Sequence, residues 1–179
     1  MTFLKRLSSD KIIAIMATVI SICALFTSVY QVKIERKQQY ASMWPSLHIY
    51  SQTQMLPDSA QNFCGIRITN KGVGPAIIKK IEIWYRDQVC EDERDLIQKV
   101  TGGNMNEGEA INQIWEDRVL ASNEEIEWIK VGGAINTRQF REALKTGYIH
   151  VRLEYASVYE ERWEYNFNMG KKSIVKLSD

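Results

Sequence analysis

Catalysis or metal binding in this chain would have to be built from two histidines, three cysteines and a few clustered carboxylates. His48 and His150 both fall on polar faces of alternating runs, and neither has a histidine or cysteine at the spacing a zinc site needs. A Cys64 thiolate with His150 as its base is conceivable on paper. Cys64, however, lies on the apolar side of its run (Cys64, Ile66, Ile68), where a cysteine is a small core residue. Glu91, Asp92, Glu93 and Asp95 offer oxygen ligands for calcium, but they lack the EF-hand pattern and its loop glycine and read as a solvated acidic face. The chain has no phosphate-binding glycine loop, no GxGxxG, no GxSxG and no HExxH. The expectation is a non-enzyme with no catalytic residue, no metal and no cofactor.

Recognition is the chemistry that remains. Arg67, Trp84, Arg86, Arg152 and Arg162 fall on polar strand faces, where guanidinium groups and an indole could grip a phosphate or a base. The competing reading pairs Arg152 and Arg162 across strands with Glu154 and Glu164, which neutralises them. If the first reading holds, the ligand is a small molecule such as a nucleotide, or a protein. Double-stranded nucleic acid is not an expected partner, because 23 basic against 22 acidic side chains, a net charge of +1, give no global field.

The elements that must position these residues begin with an anomaly. A length of 179 residues with 45% hydrophobic side chains suits one ordinary domain, and three cysteines with no CxxC spacing make no disulfide framework or zinc site. Yet Ile12 to Tyr30 carries no charge at all. As a helix it covers roughly 28 Å at ~1.5 Å per residue, close to a bilayer's hydrocarbon thickness of about 30 Å. The run is longer than a signal peptide's apolar region, and no small-x-small exit follows it. An uncleaved anchor is expected, ahead of a cleaved signal or a buried core helix. Ala14, Ala17, Ser21, Ala24 and Ser28 recur at three- and four-residue steps along one stripe. Small residues let membrane helices approach closely, so this stripe reads as a seam for homo-oligomers.

Residues 1–11 form the N-terminal flank, with Lys5, Arg6 and Lys11 against Lys33, Arg36 and Lys37 beyond the span. Three against three leaves the orientation open, and Cys64 and Cys90 could pair outside the cell or stay reduced inside it. Residues 31–44 read as a helical arm in which Lys33, Arg36 and Lys37 would sit among lipid headgroups, or as a solvated spacer. Trp44-Pro45 ends it.

Past Pro45 the period becomes two. Residues 45–170 read as a β-domain and 171–179 as a tail. Leu47 and Ile49, then Cys64 to Ile68, then Ile81 to Tyr85 alternate, and the Asn70–Pro75 turn should make the last two runs neighbours. Glu91 to Val100 reads as a short helix, Thr101 to Gly108 as a loop, Ile111 to Leu120 and Ile126 to Val131 as strands. Asn136 to Lys145 is a helix capped by Asn136, with Phe140, Ala143 and Leu144 inward and Gly147 stopping it. A hairpin follows, with Ile149, Val151, Leu153 and Tyr155 facing Trp163, Tyr165 and Phe167. The fold class is an N-terminal transmembrane helix plus a mainly-β soluble domain, a β-sandwich or barrel with one or two short helices.

The anchor running into QVKIERKQQYASMWPSLHI, then ITNKGVGPAIIKKIEIWY, then LEYASVYEERWEYNF, resembles a group of small, mostly uncharacterised bacterial single-pass proteins with a C-terminal β-domain. The Asn70-x-Gly72-x-Gly74-Pro75-Ala76 turn and the Tyr155-x-Ser157-x-Tyr159…Trp163 hairpin carry the likeness, which implies a fold and a place in the bacterial cytoplasmic membrane but no active site. By architecture the chain is also similar to membrane-anchored β-barrel effectors of cyclic-oligonucleotide antiphage systems, which carry two membrane helices to this chain's one. Two functions follow as expectations. One is a ligand- or partner-sensing protein that clusters in the membrane, in its sharpest form an antiphage effector. The other is a non-catalytic tethering subunit of an envelope complex.

Overall fold

The computed structural model describes residues 9–56, 62–103, 109–168 and 171–177. Lys5 and Arg6 of the flank, 104–108 of the expected loop and 169–170 at the expected domain boundary lie outside these. The chain divides into two compact units, Met1–Ser42 and Met43–Asp179.

The first unit is one helix, α1 (Ser9–Ser42), 34 residues long, in which no described residue is buried. It is long and apolar enough to cross a membrane. It continues through the arm and stops short of Pro45, as the helix-disfavouring step before a proline requires.

The second unit is built from two antiparallel sheets and is not a closed barrel. One sheet has the order β1 (Leu47–Gln54), β2 (Phe63–Asn70), β7 (Glu125–Gly132), β5 (Ala110–Ile111). The other runs β10 (Lys171–Lys176), β9 (Arg162–Asn168), β8 (Ile149–Ala156), β3 (Ala76–Tyr85), β4 (Gln88–Cys90), with β6 (Val119–Leu120) also on β3. Alternation supplies the core between them: Leu47 and Ile49, Ile66 and Ile68, Val151 and Leu153, Tyr165 and Phe167 are all buried. The helices α2 (Glu93–Thr101) and α3 (Ala134–Lys145) add Leu96, Ile97, Phe140 and Leu144 to that core.

Four expectations need correction. The runs on either side of Asn70–Pro75 are not paired neighbours, because β2 and β3 belong to different sheets. The turn between them instead ties the domain's first residues down: Val73 and Gly74 donate to the Trp44 carbonyl and Lys71 donates to that of Ser46. A Cβ on Gly74 would overlap the Met43 backbone, and one on Gly72 that of Trp44 to Ser46. Secondly, Ile111 to Leu120 is not one strand. Its ends pair with opposite sheets, as β5 with β7 and β6 with β3, and Asp117 turns between them at φ 63°. Thirdly, Gly133 rather than Asn136 caps α3, at φ 83°, and Asn136 is buried inside the helix. Lastly, the expected tail contains β10, paired with β9 from Lys171 to Lys176.

Candidate functional site

The structure gathers part of the expected recognition set on the outer face of the second sheet. Trp84 on β3 stands directly across from His150 on β8, and their rings stack with centroids 5.0 Å apart. Arg152, one outward position along β8, places its guanidinium 5.4 Å from the Trp84 ring. Its Nη1 is 3.4 Å from Glu82 Oε2, and its buried Nε is 3.7 Å from Glu164 Oε2, too far for a hydrogen bond. Two carboxylates on neighbouring strands thus already attend this guanidinium. Arg86 lies just past Trp84, in a two-residue turn where both it and Asp87 have positive φ (48° and 64°). That turn fits the twist of a tight hairpin. It holds the Arg86 guanidinium 4.7 Å from the Tyr148 ring and 5.3 Å from that of Tyr85.

The other two arginines stand elsewhere. Arg162 pairs with Ala156 at the opposite end of the β8–β9 ladder. Arg67 is on the other sheet, where Glu125 (2.5 Å) and Glu127 (3.6 Å) hold it. Hydrogen bonds from Tyr50 and Arg67 keep the Glu125 carboxyl below its ordinary range.

Cys64 and His150 do not meet. They lie on different sheets, and burial pushes the Cys64 thiol up despite its contact with Thr53 at 3.3 Å. Cys90 is likewise free, buried and pushed up by that burial. Among the described residues no cluster of His, Cys, Asp or Glu could hold a metal ion. The acidic run does structural work at the start of α2. Asp92 caps it by accepting from the Asp95 amide at 2.8 Å, and Asp95 pairs with Lys99 at 2.7 Å. Glu93 turns inward to accept a 2.8 Å hydrogen bond from Trp128 Nε1.

The opening next to α2 was not foreseen. A cleft of about 290 Å³ lies between β3, the start of α2 and the Gln113–Glu116 segment, with a second lobe of about 350 Å³ that shares Asp92, Glu93 and Gln113. Nothing local in the sequence marks it, because it forms where three separated segments fail to close over the core.

In α1 the small-residue stripe is exposed along its whole length. Ser21 Oγ donates to the Ala17 carbonyl at 2.8 Å and Thr18 Oγ1 to that of Ala14 at 2.9 Å, so both hydroxyls are satisfied within the helix. Lys33, Arg36 and Lys37 are exposed on the arm.

Among the described residues, one helix of membrane-spanning length followed by a non-barrel β-sandwich thus defines the class of protein. Residues 12–171 match the family model described as a domain of unknown function, DUF8453, and the chain belongs to that family. Comparison with curated proteins gave no match, and comparison with solved structures gave none.

Proposed function

We propose that this is a non-catalytic sensor of the bacterial cytoplasmic membrane, whose β-domain binds a small molecule such as a nucleotide, or a protein, and whose α1 seam gathers copies side by side. In its sharpest form the gathering disrupts the membrane as an antiphage response. The observation that carries this reading is that α1 has no described residue buried by its own chain. Its apolar faces are left to lipid and its small-residue stripe to another helix. The family match starts at Ile12, the first residue of the apolar run, which supports a retained anchor over a discarded leader. Lys33, Arg36 and Lys37 would meet anionic headgroups, each contributing about 1 kcal/mol. The test replaces Ala17, Ser21 and Ala24 together by Leu. Full-length protein in detergent should shift to smaller oligomers by light scattering; an unchanged mass overturns the clustering mechanism.

A second reading, a tethering subunit of an envelope complex, is favoured by one observation. The guanidinium groups of Arg67 and Arg152 already have carboxylate partners, which leaves less charge for a phosphate. Stable co-purification with a larger assembly, and no change of oligomer size on adding nucleotides, would select it.

A further inference from the structure

Sheet edges are normally paired, covered or blunted, because their free N–H and C=O groups invite another strand. Along one side of β3 the cover is interrupted. β6 pairs with Ala76 and Ile77, β4 with Ile83 to Tyr85, and Lys79–Glu82 between them has no strand on that side among the described residues. The turn after Trp115 satisfies Ile78 alone, whose N–H donates to Arg118 at 2.9 Å and whose carbonyl accepts from Asp117 at 2.7 Å. The 290 Å³ cleft opens onto this stretch. Its floor is core left half-covered: Ile81 lines one lobe and Ile111 the other, and both are only partly buried.

The cleft is also unevenly charged. Lys79 and Lys80 are neutralised by Asp117 (2.5 Å) and Glu82 (2.8 Å). Glu91, Asp92, Glu93 and Glu116 line the same opening; Asp92 is taken up in capping α2 and Glu93 in accepting from Trp128, which leaves the exposed Glu91 and Glu116 carboxylates on its rim. Among the described lining residues, Arg94 in the second lobe is the basic side chain left to offset them.

We propose that this cleft binds an extended peptide segment of a partner protein, alternating apolar with lysine or arginine residues, that adds as a short strand to the open edge of β3. Four residues of free edge span about 13 Å at ~3.3 Å per residue, room for a three- or four-residue strand. Alternate side chains of that strand point into the sandwich, over Ile81 and Ile114, and out towards the carboxylates. Main-chain hydrogen bonds supply affinity, and the carboxylates select cations. The inference goes beyond the clustering mechanism and stands even if α1 never self-associates.

The probes are a pool of dye-labelled heptapeptides alternating Lys or Arg with Val, Ile, Leu or Phe, the same pool with Glu for the basic residues, and the basic pool N-methylated at alternate amides. Binding to the full chain in detergent is read by fluorescence anisotropy, and amide hydrogen exchange is followed over Lys79–Glu82. The basic pool should bind and slow exchange there about tenfold or more. The N-methylated pool should bind about tenfold more weakly, the loss of one or two hydrogen bonds. The exposed-rim variant Glu91→Gln/Glu116→Gln should weaken binding severalfold while leaving the unfolding transition unchanged. No binding by the basic pool, equal binding by the acidic pool, or indifference to N-methylation would each overturn the proposal. So would displacement by spermine without any protection of β3, which marks a simple cation site. Protection of β3 that rises with protein concentration and no peptide would assign the edge to a second copy and overturn it equally.

Discussion

Asn70 is the side chain that ties three separated segments of the β-domain together. It is fully buried, and its Nδ2 donates to the carbonyls of Gly74 (2.8 Å), Leu120 (3.1 Å) and Ala121 (3.2 Å). Its Oδ1 accepts from the amides of Ser46 (3.1 Å) and Gly72 (3.0 Å). One amide thus joins the entrance of the domain, the turn that crosses from sheet to sheet, and the β6 segment. Asn70→Ala would strand several buried backbone groups, each at about 1–3 kcal/mol, so a loss of about 3 kcal/mol or more is expected in chemical denaturation. Asn70→Asp keeps the acceptor but loses the NH2 group whose two N–H donors serve three carbonyls, and should be nearly as damaging. Tyr155 gives a second measurement at this scale. Burial pushes its phenol up to about 12 from an ordinary value of 10. The folded state therefore keeps the proton after the unfolded chain has released it. Its stabilisation is complete below pH 10 and is lost as pH rises towards about 12, by about 3 kcal/mol for two units. Tyr155→Phe should unfold with a shallower slope across that window. A residual slope will remain, since burial shifts Tyr165, Cys64 and Cys90 in the same direction.

At the scale of elements, what the sequence made legible follows from where period two stays in phase. Ile149 to Tyr155 and Trp163 to Phe167 read correctly because no bulge interrupts their ladder. In β7 a register shift opposite Ile66/Arg67 adds an extra residue, and Ile126, Trp128, Ile129 and Val131 are all buried though strict alternation splits them between faces. A second shift, between Ile78 and Lys80, explains why the alternation in β3 is readable only from Ile81 onward. β10 escaped notice for another reason: of its three core-side positions, Lys172, Ile174 and Lys176, two carry lysines and all are exposed. Lys172 Nζ lies 5.6 Å from the Phe167 ring and Lys176 Nζ 5.7 Å from that of Trp163, with Glu161 at 2.6 Å from Lys176. Inward charges on an edge strand discourage another strand from adding. Replacing both lysines by Val, while the exposed Ile174 and Val175 remain, should therefore produce concentration-dependent association of the β-domain, measurable by light scattering. Monodisperse behaviour of that variant would show that the edge is protected by other means.

For the whole molecule, the division into a long apolar helix and a β-domain was legible because two periods and one run of uncharged residues differ sharply on either side of Pro45. The candidate site was legible only in part. Trp84 and Arg152 meet because they occupy outward positions on paired strands, a relation that alternation implies once the pairing is known. Arg67 and Arg162 resemble them in sequence, but sheet order puts Arg67 on the other sheet and the β8–β9 register puts Arg162 at the far end of its ladder, relations that no local pattern encodes. The division itself has a testable consequence. Among the described residues every core side chain lies between Leu47 and Phe167, and α1 contributes none. A chain beginning at Met43 retains the backbone hydrogen bonds from Lys71, Val73 and Gly74 to Trp44 and Ser46. It should be soluble without detergent and unfold in one cooperative step at the same denaturant midpoint as the full chain in micelles. Because both of its cysteines are buried and unpaired, reductant should leave that midpoint unchanged. Starting the chain at Leu47 instead removes the partners of the Asn70 turn while leaving the core composition intact. A lower midpoint for this shorter chain would place a measurable share of the domain's stability in the four residues that follow α1, and an equal midpoint would leave the Asn70 network resting on its own turn and the β6 segment.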